Sequence, residues 1–164
     1  VEIIDKILYN GREISSTYVR EEIQEGQMEL AAKLLGAPYV VSGHVMHGKR
    51  LGRTLGMPTI NLLPEKDKLL PPNGVYLSRL NFGGVSFPGI TNIGCRPTVS
   101  DSGQMSVETY LYDFDSEIYG EYVEVSLYSF RRPERKFSDV KELKQNMAHD
   151  IEEGRRYWYP EKTD

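Results

Sequence analysis

From Tyr39 to Phe130 the apolar residues recur at every second position. The segments that carry this rhythm are separated by glycine, proline and polar residues, with no helical stretch between them. A period of two is what a strand with one buried face requires. The expected strands are Tyr39–Met46, Met57–Leu63, Gly74–Asn81, Val85–Ile93, Met105–Asp113 and Glu121–Phe130. In the last of these Val123, Val125 and Leu127 share one face, and Glu124, Ser126 and Tyr128 the other. Phe82-Gly83-Gly84 supplies a tight hairpin turn between the third and fourth strands. Short strands joined by glycine- and proline-rich connections argue for a mainly β protein, an antiparallel barrel or sandwich.

Helices are expected only at the two ends. Asn10-Gly11 makes a turn, and Ser15, Ser16 and Thr17 are candidate caps for a helix from about Thr17 to Glu25. A second helix, Gln27 to Leu35, would be stopped by Gly36 and Pro38. The pair is too small to bury its own apolar face and must pack on something else. After Pro133 a final helix is expected, capped by Ser138. It would carry a stripe of Val140, Leu143, Met147 and Ile151 and end at Gly154.

Composition narrows the function. Against 24 acidic residues stand 20 Lys and Arg, a net charge of −4, which disfavours non-specific nucleic-acid binding. No apolar run reaches the ~18 residues that cross a bilayer, and no signal segment stands at the start. With Cys95 the single cysteine, an internal disulfide and a cysteine-based zinc site are both ruled out. A reducing, cytoplasmic setting is expected.

The densest chemical signal runs from Gly43 to Asn61. Gly43, Gly48, Gly52 and Gly56 are interleaved with Lys49, Arg50 and Arg53, and no acidic residue interrupts them. Glycines let backbone N–H groups approach an anion, and the cations supply countercharge. The combination suits a polyphosphate, although a solvated turn-rich loop would share it. It is neither a Rossmann nor a Walker pattern. In Pro58-Thr59-Ile60-Asn61 the strand period puts Thr59 and Asn61 on one side. Their hydroxyl and amide oxygens are hard ligands of the kind magnesium accepts; the same residues are also ordinary at a strand end. Glu108 lies mid-strand, opposite in facing to Val107 and Thr109, where it could take a proton or simply be solvated. His44, His47 and His149 do not form a metal set and read as structural or surface residues.

These segments together resemble a known family. Gly52-Arg53-Thr54-Leu55-Gly56-Met57-Pro58-Thr59-Ile60-Asn61 resembles the nucleotide motif of riboflavin kinases, whose core is Pro-Thr-Ala-Asn; Ile60 is the one departure in that core. Asn92-Ile93-Gly94-Cys95-Arg96-Pro97-Thr98 resembles the family's Asn-x-Gly-x-Arg-Pro-Thr segment. Val107-Glu108-Thr109, Asp113-Phe114 and Tyr119-Gly120 resemble its catalytic strand and following loop. Arg132-Pro133-Glu134-Arg135-Lys136-Phe137 resembles its Arg-Pro-Glu-x-x-Phe flavin loop. The matches fall in the family's order. Ile14-Ser15-Ser16-Thr17-Tyr18-Val19-Arg20 is similar to a motif near the end of the adenylyltransferase module in bacterial bifunctional FAD synthetases.

The resemblance implies a six-stranded antiparallel Greek-key barrel with a C-terminal helix, preceded by a short helical segment. Residues 1–38 would be the end of an FMN adenylyltransferase module plus linker, and 39–160 a riboflavin kinase domain. It implies transfer of the γ-phosphate of ATP to the 5′-hydroxyl of riboflavin, giving FMN, with Mg²⁺ as cofactor and no FAD formed. Glu108 would be the catalytic base, and Thr59 and Asn61 the metal ligands. Gly48, Lys49, Arg53, Thr59, Asn61, Leu111, Asp113 and Tyr119 would serve ATP; Arg132, Arg135 and Phe137 would serve the flavin. The expected partners are ATP, riboflavin and the adenylyltransferase module of a parent chain, with neither nucleic acid nor membrane. Two other classes share the pattern: a flavin-binding regulatory module without turnover, and an oligonucleotide-binding barrel, which the charge disfavours.

Overall fold

Asn10 and Gly11 both take positive φ, 49° and 79°, and fold β1 (Leu8–Tyr9) back on β2 (Arg12–Glu13). In this computed structural model, which describes residues 5–48, 51–96 and 104–161, two short helices follow. Ser15 caps α1 (Ser16–Gln24), its hydroxyl accepting from the Tyr18 N–H at 3.2 Å. Helix α2 (Met28–Leu35) stops at Gly36, which is left-handed at φ 78°, as Gly at a helix C-terminus permits.

The alternating region then forms β3 (Tyr39–Met46), a single helical turn α3 (Leu51–Thr54), β4 (Thr59–Pro64), β5 (Gly74–Phe82), β6 (Val85–Arg96), β7 (Gln104–Leu111) and β8 (Tyr122–Pro133). Six antiparallel strands close a barrel in the order β3-β4-β7-β6-β5-β8, with β8 pairing back on β3. The barrel, not the sandwich, is therefore the architecture. The β5–β6 hairpin turns on Gly83 and Gly84, at φ 58° and 78°, which is the primed-turn geometry that matches strand twist. Strand β4 starts two residues later than the periodicity suggests. Met57 donates to the Gly52 carbonyl at 2.7 Å, and Pro58 has no N–H to give to a ladder. Strand β7 ends at Leu111 because Asp113 takes φ 53°.

Inward-facing Val41, Val45, Leu62, Leu80, Ile93, Val107, Val125 and Leu127 fill the barrel. The same core includes Val19, Ile23, Met28 and Ala31, so the N-terminal helices bury their apolar face on the barrel itself. At roughly 1.5–3 kcal/mol per fully buried aliphatic side chain, this contact is a substantial share of a domain's stability. Thr91, midway along β6 and fully buried, donates to the Ser78 hydroxyl at 2.7 Å and lies 2.8 Å from that of Thr109. The interior polar groups are thus satisfied among themselves.

The final helix, α4 (Val140–Trp158), packs on the barrel's outer face, where Ile151 and Trp158 meet Val75, Leu77, Ile90 and Tyr112. Its cap is Asp139, not Ser138: the Asp139 carboxylate accepts from the Glu142 N–H at 2.7 Å. Ser138 instead donates its N–H and hydroxyl to the Glu142 carboxylate, each at 2.8 Å. Val140 does not join the stripe and is 57% exposed. Nor does Gly154 end the helix. It is buried within α4, where a β-carbon would strike the Tyr112 hydroxyl and the Ile90 side chain. Its lack of a side chain serves close helix–sheet approach. Tyr112 donates to the Ile151 carbonyl at 2.5 Å and the Trp158 indole to that of Gly89 at 3.1 Å, pinning the helix.

Candidate active site

On β4, Ile60 and Leu62 turn inward, so Thr59 and Asn61 turn outward together. The barrel register then decides their neighbours. Asn61 lies opposite Glu108 on β7, and Glu108 opposite Asn92 on β6. Directly opposed residues share a face with Cβ atoms about 4.5–5.5 Å apart. Asn61, Glu108 and Asn92 therefore form one polar row on the outer surface, with Thr59 beside it. Asn61 is only 5% exposed, while Glu108 is half-buried.

The glycine-rich segment packs against Thr59 and Asn61 at one end of this row. A β-carbon at Gly48 would collide with the Asn61 amide, and one at Gly52 would meet the Met57 carbonyl and approach the Thr59 hydroxyl. At both positions the backbone of the turn lies against its neighbours as closely as only glycine allows. The turn is held by Leu55 and Met57, which both donate to the Gly52 carbonyl. Lys49 lies outside the described residues, as do the side chain of Arg53 and the Pro97-Thr98 end of the segment that begins at Asn92.

A cavity of about 330 Å³ opens beside these residues, lined by Gly48, Thr59, Asn61, Leu111, Ile118 and Tyr119 among others. That volume lies at the lower end of small-molecule sites. The Tyr119 ring stacks on His47 at 3.9 Å between centroids and 27° between planes. Val45 exchanges backbone hydrogen bonds with Glu121 and Gly120, each 2.9 Å, tying the loop after β7 to the end of β3. His44 contacts the Gly120 carbonyl at 3.0 Å. Two of the three histidines thus hold loop structure. Among the described residues no three His, Cys, Asp or Glu side chains cluster as metal ligands. A cation at Thr59 and Asn61 would draw its further oxygens from substrate and water, a ligand set that fits Mg²⁺.

The cavity gathers Gly48, Thr59, Asn61, Leu111 and Tyr119, with Glu108 adjoining Asn61. Asp113 stands apart: its carboxylate accepts from the Tyr159 hydroxyl at 2.8 Å. Arg132, Arg135 and Phe137 lie on a separate wall, at the end of β8 and the approach to α4. Arg132 grips Asp150 with two hydrogen bonds, 2.8 Å and 2.6 Å, and donates to the Pro133 carbonyl at 3.1 Å. The Asp150 hydrogen bond holds the Arg132 pKa above its ordinary value against the opposing effect of burial. Arg135 donates to Glu142 at 2.9 Å, and its guanidinium stands 5.5 Å over the Phe137 ring. The two walls are connected through the register: Glu108 faces Asn92, Asn92 faces Val75, and Val75 faces Arg132.

Sequence reasoning passed over Asn92 and Glu134. The Glu134 carboxylate accepts from Asn73 at 3.0 Å and sits over Gly94, where a β-carbon would displace it. Both residues fall inside the motifs of the resemblance; alternation with Ile93, whose side chain points inward, turns Asn92 to the outer face, and the pairing of β6 with β7 sets it opposite Glu108.

A family model described as Flavokinase, riboflavin kinase, matches residues 35–158. The bifunctional riboflavin kinase/FMN adenylyltransferase of Bacillus subtilis is 39% identical over 158 residues, 95% of this chain and 50% of the relative. Its namesake from Escherichia coli K12 is 41% identical over 141 residues, 85% of this chain and 44% of the relative. The chain spans about half the length of the relatives it matches. A solved structure named as a macrolide-efflux protein from Streptococcus pneumoniae superposes with a TM-score of 0.85 at 34% identity, covering 94% of this chain and 50% of that one. The riboflavin kinase of Trypanosoma brucei shares the fold, with a TM-score of 0.51 at 20% identity over 76% of this chain and 82% of that one.

Proposed function

This chain belongs to the riboflavin kinase family, and from that premise we propose that it transfers the γ-phosphate of ATP to the 5′-hydroxyl of riboflavin, giving FMN. The observation that carries this reading is the pairing of Asn61 with Glu108 on adjacent strands, beside a cavity under a glycine-rich turn. Phosphoryl transfer asks for positioning and charge neutralisation more than covalent chemistry.

In this reading Gly48, Lys49, Arg53 and neighbouring backbone amides bind the phosphate chain, Leu111 and Tyr119 lie along the nucleotide, and Asp113, held by Tyr159, borders the site without lining the cavity. Thr59 and Asn61 hold Mg²⁺, which when bound neutralises charge on the phosphate oxygens. Glu108 orients the ribityl hydroxyl and accepts its proton as the oxygen attacks the γ-phosphorus and the bond to the β–γ bridging oxygen breaks, releasing ADP, a role commonly worth about 10²–10⁴-fold in rate. Arg132, Arg135 and Phe137 form the flavin wall, and Asn92 lines the path between the two. The three strand spacings from Glu108 to Arg132 amount to about 15 Å along the sheet, a distance suited to a substrate whose reacting hydroxyl hangs on a ribityl chain away from its ring.

The product proposed for these residues is FMN, because the family model that they match is that of riboflavin kinase. Adenylyl transfer, the second activity in the relatives' names, is assigned in this reading to the part of them that this chain does not match, as its partner module. Incubation of the purified chain with riboflavin, ATP and Mg²⁺, followed by chromatography, is expected to yield FMN and no FAD. Absence of FMN would overturn the kinase reading; FAD would overturn the division of labour.

A further inference from the structure

We propose that Ile60 fixes how deeply the donor's nucleobase enters the cavity, and so separates recognition of the base from recognition of the phosphates. This rests on nucleotide binding at the cavity as proposed above. Two chemically distinct sets of residues line the cavity, an apolar one and a polar one that also takes in Asp115, Ser116 and Glu117. Thr59 and Asn61 project to the outer face beneath Gly48. Ile60, between them, points the other way, and lines the cavity with Val45, Leu111, Phe114 and Ile118. Val45, Leu111 and Ile118 are buried members of the barrel core, and Ile60 and Phe114 pack against them.

A phosphate chain has no place on such a floor, because its charges would be stripped of water with no donors in return. A planar base, apolar on both faces, loses little there and gains contact. The donor therefore lies with its base over Ile60 and its phosphates toward Thr59 and Asn61. Strand alternation makes the two ends inseparable in sequence: a residue turned inward serves the base, and both its neighbours turn outward to the phosphate end. Isoleucine exceeds alanine, the residue of the resembled motif at this position, by three carbons. The floor here is correspondingly higher than alanine would make it.

The test uses a donor analogue with no base. In Ile60→Ala the KM for ATP is expected to rise about three- to thirty-fold, the usual worth of removing one to three carbons from an apolar contact. The inhibition constant of magnesium tripolyphosphate, competing against ATP, stays within twofold of wild type. Thr59→Ala, at the other end, moves both. An unchanged KM for ATP in Ile60→Ala, or a tripolyphosphate constant that rises with it, overturns the proposal. Ile60→Val should shift ATP in the same direction by less, and circular dichroism checks that both variants fold. Should the wild-type chain form no FMN, the kinase reading fails by itself. Calorimetry of ATP and tripolyphosphate binding to the same variants then decides the base end independently.

Discussion

The outer face of this barrel carries two unlike surfaces on the same strands. Along β6 and β7, Ile90 faces Tyr110; two residues along, Asn92 faces Glu108. The first pair lies in the apolar cluster that α4 covers; the second lies in the polar row beside the cavity. Covering one stretch with a helix dictates aliphatic and aromatic residues there. Leaving the next uncovered permits a carboxylate and an amide, which burial without partners would forbid. The difference teaches that α4 covers one stretch of β6 and β7 and leaves the next to polar residues, and the two surfaces should answer differently to substitution.

The largest contrast is expected at Glu108. Glu108→Gln keeps the shape of the polar row and removes the base, so kcat should fall by about 10²–10⁴-fold. The denaturation midpoint should stay near wild type, since the side chain is half-buried on an open face. Steady-state kinetics alongside urea titration separate the two effects. Near-normal turnover would take Glu108 out of the base role, and a large loss of stability would erase the proposed distinction between the surfaces.

The reverse pattern is expected under α4. In Gly154→Val the new side chain meets the Tyr112 hydroxyl and Ile90, and overpacking of this kind costs about 1–3 kcal/mol. Urea denaturation should show that loss, while the activity of the folded fraction stays within a few-fold of wild type. An unchanged midpoint would mean that α4 does not need the close approach seen here.

How much of this was legible in the sequence follows the same division. The alternation of Val123, Val125 and Leu127 is a local property of one strand, and so is the shared facing of Thr59 and Asn61; both were readable from period alone. The choice of barrel over sandwich, and the meeting of Asn61 with Glu108, depend on which strands pair across 47 residues of chain; the family resemblance implied the barrel, and the register gives the meeting. Gly154 shows the limit most plainly. Glycine at the end of an apolar stripe reads as a helix stop, yet what decided its role was Tyr112, in the turn that follows β7. Ser138 and Asp139 are both competent caps by composition. Glu142 settled between them by drawing Ser138 to its carboxylate and leaving its N–H to Asp139.

That same Glu142 gives the smallest and sharpest contrast between the two surfaces. Hydrogen bonds from the Ser138 backbone and hydroxyl, then the Arg135 charge, hold its pKa below the ordinary carboxylate value. A carboxyl with a lowered pKa in the folded state adds stability above its unfolded pKa and gives it up as pH falls through the folded one. The apolar contacts beneath α4 have no such dependence. Thermal melts of wild type and Glu142→Gln should therefore differ slightly at neutral pH and converge once acid protonates the carboxyl. Arg135 and Phe137 would be released with it, so flavin affinity should weaken over the same interval in wild type and stay flat in the variant. A difference between the two proteins that persists unchanged into acid would show that the side chain acts through its shape and not its charge, and the approach to α4 would then belong with the covered surface.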